Sequence, residues 1–271
     1  MRLNVDVDMT YRLGPSRAAM LAIEAAQGPR QTVTRSDLVV DNATITRIAG
    51  ESGVGTRLWV HVRAELLKVR YTAKVEVDRP APALDGLLAV PMHALPPEAL
   101  TYLRPSRFCQ SDEFAGFVAR RFGTVDGGDK VRAIQDWVQR EITYREASSQ
   151  AETTVLDTFA RREGVCRDFA HLVCALARAA GIPARYAAVY GIGVTPPDFH
   201  AAAEVWLEDA WHLVDATGMC RPDEMAIIGV GRDACDAPFM ETTDDAQMIP
   251  RPDAVDPAHA DSGAAGAASP Q

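Results

Sequence analysis

The chain has 271 residues, of which 47% are hydrophobic and 24% charged, and a formal net charge of -9 at pH 7. That is the composition of a globular protein with room for two domains and a sizeable core. The acidic balance argues against nucleic acid or an anionic membrane as partner, and the sequence offers no apolar run long enough for a transmembrane helix.

The N-terminal residues carry no signal peptide, because Asn4, Asp6 and Asp8 interrupt any apolar core. Five cysteines (109, 166, 174, 220 and 235) stand at irregular spacings with no C-x-x-C pair. That pattern suggests neither a zinc finger nor a thioredoxin motif, and an odd count without an export signal reads as reduced thiols in the cytoplasm.

Leu3, Val5, Val7, Met9, Tyr11 and Leu13 alternate with polar residues, the period of a half-buried strand. The alternation returns at Leu58, Val60 and Val62, and again at Val69, Tyr71, Ala73, Val75 and Val77. Gly14-Pro15, Gly28-Pro29 and Asp41-Asn42 punctuate these runs. Residues 1–79 are therefore predicted to form a β-rich, sandwich-like domain. Within it, Met20 to Gln27 suits a helix by its alanines and a strand by its neighbours. Six prolines between 80 and 106 mark an interdomain segment.

Helical patterns follow, one from Ser111 to Gly123 and a second capped by Asp129 that carries Val131, Ile134, Trp137 and Val138. Thr154 to Phe159 forms a short third. The next helix begins near Cys166 and shows Phe169, Ala170, Val173, Leu176, Ala177 and Ala180 at helical spacing. Gly181 and Pro183 end it. Strands are predicted at 184–191, 200–207 and 211–215. Residues 250–271 are rich in Pro, Asp, Ala, Gly and Ser and are expected to form a disordered tail.

Three residues carry candidate chemistry. A cysteine is most often an inert core residue, but Cys166 follows Gly164-Val165 at a helix start. Unpaired N–H groups there favour a thiolate and could hold an oxyanion. Cys174, further along the same helix, is assigned to packing. If Glu208-Asp209 is a two-residue turn, Trp206 faces Trp211 and Asp215 faces Ala202. His200 then lies diagonally from Asp215, at roughly 7–8 Å between backbones, within reach of an imidazole–carboxylate bond. A thiol, an imidazole and a carboxylate are a nucleophile, its base and the base's orienter. A zinc site from Cys166, His200 and Asp215 has no supporting spacing. No Walker loop, H-E-x-x-H or G-x-G-x-x-G is present. The roles of Arg232 and Asp233 stay open.

Gly164-Val165-Cys166-Arg167-Asp168-Phe169-Ala170-His171-Leu172, Gly181-Ile182-Pro183-Ala184-Arg185, Phe199-His200-Ala201 and Val214-Asp215-Ala216-Thr217 together resemble the bacterial transglutaminase-like superfamily, in its cysteine-protease branch with a β-rich N-terminal domain. The resemblance implies an α+β fold, a papain-like core in residues 107–249 with a nucleophile helix packed on an antiparallel sheet. It carries over Cys166 as nucleophile, His200 as base and acid, and Asp215 as orienter. Nothing resembles the calcium sites of the animal cross-linking enzymes, so no cofactor and no metal are expected. Many relatives follow the histidine with Ala-Trp, so Ala202 is expected to alter the cleft wall. The implied activity is thiol-dependent hydrolysis of amide or peptide bonds in a peptide or protein substrate. Acyl transfer to an amine and a non-catalytic protein-binding module are the alternatives.

Overall fold

The computed structural model describes residues 1–80, 83–249 and 264–265. The first part contains strands β1 (Arg2–Arg12), β2 (Ala18–Leu21), β3 (Gln31–Val40), β4 (Ala43–Ala49), β5 (Thr56–Val62) and β6 (Leu66–Val77). After a helical turn, α1 (Pro97–Leu100), come α2 (Ala115–Phe122), α3 (Gly127–Glu141), β7 (Thr143–Tyr144), α4 (Val155–Arg161), β8 (Glu163–Gly164) and α5 (Cys166–Ala179). The chain continues through β9 (Ala184–Gly191), β10 (Phe199–Leu207), β11 (Ala210–Val214), β12 (Met225–Gly231), β13 (Met240–Thr242), β14 (Gln247–Met248) and β15 (Ala264–Ala265).

The alternating runs form the strands they predict. On β1, Leu3, Val5, Val7, Met9 and Tyr11 all point inward. Two sheets result, ordered β14–β1–β6–β3 and β13–β2–β5–β4, and their apolar faces meet in one core. Ala18–Leu21 is a strand, paired with β5, and the alanines after it continue as irregular chain.

Two expectations are corrected. The β13 and β14 strands, within the 107–249 segment assigned to the papain-like part, return to pair with β2 and β1. They are only three and two residues long, too short to show a period. The α3 cap is Asp126 rather than Asp129; Asp129 sits in the first turn, where its carboxylate accepts the Gly86 N–H. Of the expected tail, only residues 264–265 are described, as a short strand parallel to β1. Residues 250–263 and 266–271 lie outside the described residues.

The second part is an antiparallel sheet, β11–β10–β9–β12, with α5 laid on β9 and β10. The sequence pattern showed one apolar stripe on α5. In the structure Leu172 through Ala177 are wholly buried, because α3, α4 and the 111–114 turn cover its other side. The rest of that sheet face is covered by the β-sandwich. Tyr190 stacks on Tyr71, with ring centroids 6.5 Å apart, and its hydroxyl donates to the Ile23 carbonyl at 2.6 Å. One apolar core therefore runs from the sandwich into the second sheet.

Within that sheet, Arg185 and Glu204 form a buried ion pair at 2.7 Å, and the guanidinium lies 4.1 Å from the Trp211 ring centroid. Removing one partner of a buried pair strands the other. Glu204→Gln is expected to cost about 3–5 kcal/mol in chemical denaturation. Glu76→Gln, at the exposed pair with Arg2, should cost less than about 1 kcal/mol. Equal losses at the two positions would remove the claimed role of burial.

Candidate active site

Cys166 is the first residue of α5, and the preceding residues explain why the helix starts there. Val165 is extended, with φ -110° and ψ -178°. Its N–H donates to Asp168 Oδ2 at 2.9 Å, which closes the first turn. The carboxylate folds back so closely that a Cβ on Gly164 would sit 2.7 Å from the Asp168 Cβ, hence the glycine. Asp168 also accepts from Ser149 Oγ at 3.0 Å and lies 3.7 Å from Arg167 Nε. Burial raises its carboxyl above the ordinary range despite these partners. The helix thus presents its partially positive end at the Cys166 thiol.

The β10–β11 hairpin has the register that the two-residue turn predicts. Glu208 and Asp209 both have positive φ, 47° and 61°, the handedness a tight hairpin turn needs. Trp206 pairs with Trp211 edge-to-face at 5.1 Å, and Ala203 pairs with Val214. Asp215 follows directly, and its Oδ2 lies 3.0 Å from His200 Nε2. Both side chains are about 1% exposed. Nδ1 is left for Cys166, whose thiol is near enough to His200 to help lift the imidazole.

Burial opposes a charge on His200. The bonds and charges of Asp215 and Cys166 outweigh it and lift the imidazole to about 10. Burial likewise acts against the Asp215 carboxylate, but bonds from His200 and Thr217 hold it below the usual range. Asp215 Oδ1 accepts from Thr217 N at 2.9 Å and Thr217 Oγ1 at 2.6 Å, and Oδ2 also accepts from Cys220 N at 3.0 Å. Thr217, the last residue of the Val214–Thr217 segment, and the Cys220 backbone therefore hold Asp215, a role the sequence reading assigned to neither.

The other candidates fall elsewhere. His171 is buried, accepts the Ala234 N–H through Nε2 at 3.1 Å and stacks on Phe108. Burial, then Arg167 and Arg178, keep it neutral. Arg232 pairs with Asp236 at 2.8 Å. The buried Asp233 accepts from the N–H groups of Phe108 and Cys235. Cys174 is fully buried, and burial pushes its thiol up to about 12. Ala202 does not border the cleft as expected. It shares the His200 face of β10 but packs with Ala187, Val189 and Leu213 beside the histidine, so the Ala-Ala pair changes the surround of His200.

Only one described cluster brings metal-binding atoms together: His200, Asp215 and Cys220, within 4.8 Å of one another. All the Asp215 hydrogen bonds above would compete with an ion. Burial holds the Cys220 thiol up to about 11, whereas a metal needs a thiolate. The cluster reads as a hydrogen-bond network.

Cys166 and His200 open into a cleft of about 480 Å³. Tyr144, Phe199 and, from β1, Met9 and Tyr11 line it. A thiol heading a helix, an imidazole and carboxylate on adjoining strands, and a cleft beside them define a papain-like thiol-enzyme fold.

Residues 117–216 match the transglutaminase-like superfamily. The crystal structure of a putative cysteine protease from Cytophaga hutchinsonii superimposes with a TM-score of 0.83 at 31% identity, over 92% of this chain and 87% of that one. The protein Rv2569c of Mycobacterium tuberculosis is 28% identical over 239 residues, 77% of this chain and 76% of its own. ML0607 of Mycobacterium leprae is 29% identical over 114 residues, 39% of this chain. The chain belongs to the transglutaminase-like superfamily. Fold and neighbour together support a thiol-dependent enzyme. Among the described residues no helix is long and apolar enough to cross a membrane.

The Asp215 bonds lead to a prediction. Each oxygen faces a backbone N–H, so the amide nitrogen of Asp215→Asn must confront a donor in either orientation. The variant should lose about 1–3 kcal/mol in denaturant titration. It should also lose the support that raises His200. A raised imidazole stabilises the fold fully below its ordinary value of about 6.5, and that support fades as pH rises through the folded value. The electrostatic part of the loss should therefore be largest near pH 6 and vanish toward pH 10. A loss that grows with pH across this window would contradict the assignment.

Proposed function

We propose that the chain hydrolyses amide or peptide bonds through Cys166, His200 and Asp215. The observation that supports this reading is the buried His200–Asp215 hydrogen bond at 3.0 Å, with His200 and Cys166 lining one cleft. Asp215 holds Nε2, so Nδ1 faces the sulfur and takes its proton. The resulting imidazolium is stabilised where it forms, consistent with the raised His200. The thiolate attacks the carbonyl carbon, and the carbonyl π pair moves to oxygen. The Cys166 N–H at the helix start is one donor to that oxyanion. Collapse breaks the C–N bond, and the amine leaves with the proton from His200. Water then resolves the thioester, since it is in great excess; a second amine in its place would give acyl transfer.

Peptide anilides with fluorogenic leaving groups test the reading, with a labelled primary amine present to detect transfer. Cys166→Ser should lower turnover by about a hundredfold or more with the melting temperature unchanged, because a hydroxyl is a far poorer nucleophile beside the same base. His200→Ala should do the same. A fully active serine variant would end the proposal, and amine incorporation exceeding hydrolysis would favour the transferase alternative.

Thiol labelling gives an independent check. Cys109, Cys174 and Cys220 are buried, and burial raises all three thiols. Cys235 is exposed but is also raised, by partial burial and then by Asp233. Iodoacetamide at neutral pH should therefore modify Cys166 first, as peptide mapping would read. Labelling of Cys235 at an equal rate would leave the protein-binding module as the better account.

A further inference from the structure

Attack by Cys166 needs a second donor for the oxyanion, and the cleft restricts the choice. Among the described residues lining it there is no Asn, Gln or Trp side chain to supply an amide or indole N–H. The Arg167 guanidinium donates from Nη2 to Ser149 Oγ at 2.7 Å and to the Gln150 carbonyl, and its Nε faces the Asp168 carboxylate at 3.7 Å without a hydrogen bond. Tyr144 is placed differently. Its strand, β7, runs parallel to β8, with Tyr144 opposite Gly164, two residues before the nucleophile. Backbone bonds on either side, Thr143 N to Arg162 O at 2.8 Å and Arg145 N to Gly164 O at 3.0 Å, fix that register. The ring leans on Phe169, with centroids 5.9 Å apart. Tyr144 lines the same cleft as Cys166 and His200, and its hydroxyl lies by the Cys166 backbone N–H.

We propose, resting on the reading in the preceding subsection, that the Tyr144 hydroxyl is the second oxyanion donor. In the resting site the phenol oxygen lies beside the Cys166 N–H that a carbonyl oxygen must reach. As the S–C bond forms and the π pair moves to oxygen, that N–H exchanges the phenol for the oxyanion. The displaced hydroxyl then turns its own O–H onto the same oxygen. On collapse the C=O double bond re-forms, the C–N bond breaks, and Tyr144 returns to the N–H. The ring is 37% exposed at the cleft edge, so it can make this small swing. Burial, then the neighbouring Cys166 charge, push the phenol up to about 12, so the proton it donates is present at neutral pH. Tyr144 would then be a catalytic residue, and its hydroxyl is the part that counts.

Tyr144→Phe removes that hydroxyl and keeps the ring on Phe169. Two reagents at Cys166 separate its effects. p-Nitrophenyl acetate acylates the thiol through an oxyanion, whereas iodoacetamide alkylates it by displacement at carbon and builds none. With the melting temperature unchanged, single-turnover acylation should fall at least tenfold. That is short of the roughly 10²–10³ a donor is worth on an amide, because an activated ester needs less help. Alkylation of Cys166 should keep its wild-type rate. Equal losses with both reagents would make Tyr144 an influence on the thiol alone and overturn the proposal. Unchanged or faster acylation would make the hydroxyl a bystander or a plug, and overturn it too. A wild-type Cys166 that alkylates no faster than Cys235 would instead refute the thiolate–imidazolium reading. In that case the ratio of the two acylation rates would still judge Tyr144.

Discussion

Helix α5 is enclosed on every side, and the geometry around Cys166 follows from that enclosure. From Leu172 to Ala177 no residue reaches solvent. A helix packed this way cannot slide or turn without opening cavities on one side and overlaps on the other. The sulfur is therefore held by the packing of a whole helix rather than by a loop. The same packing fixes Asp168, whose carboxylate ties the extended Val165 to the first turn, so the helix begins at the thiol and nowhere else.

The neighbouring sheet serves two partners on one face. Part of that face receives α5, and Tyr186, Ala188, Tyr190 and Ala201 share a core with the β-sandwich. Met9 and Tyr11 of the first strand line the same cleft as Cys166. The opposite face carries His200 among alanines, Val189 and Leu213. These neighbours leave the Asp215 carboxylate to orient the ring. An apolar surround around one strong partner sets a tautomer better than several competing polar groups would.

Much of this arrangement was legible in the chain, and the reasons are particular. The strands of residues 1–77 announced themselves because each has one wet and one dry face. The hairpin register was readable because two tryptophans fixed it, and Asp215 then fell beside His200. The full burial of α5 was hidden by its alanines and Cys174, which suit a half-exposed face as well as a buried one. Tyr144 was invisible because its strand has two residues and no period. Ala202 misled: it shares the His200 face of β10, but Ala187, Val189 and Leu213 pack over it, so it does not reach the cleft. The return of residues 240–248 to the sandwich gave no signal either, since pairing of such short strands is decided by tertiary context.

That return has a kinetic side. Tyr11 on β1 pairs with Met248, and Leu21 on β2 pairs with Met240. These are among the most distant pairings a chain of this length can make, and loop closure of that size slows assembly. The edges of β1 and β2 that Met248 and Met240 cover stay open until the chain has been synthesised past residue 248, well after α5 has been made. Met9 and Tyr11 stand ready early, whereas Phe239, Met240 and Glu241 reach the cleft only as the late strands dock. A nascent chain thus carries its thiol before it carries the cleft around it, so the order of synthesis itself withholds a complete substrate site until the fold is closed.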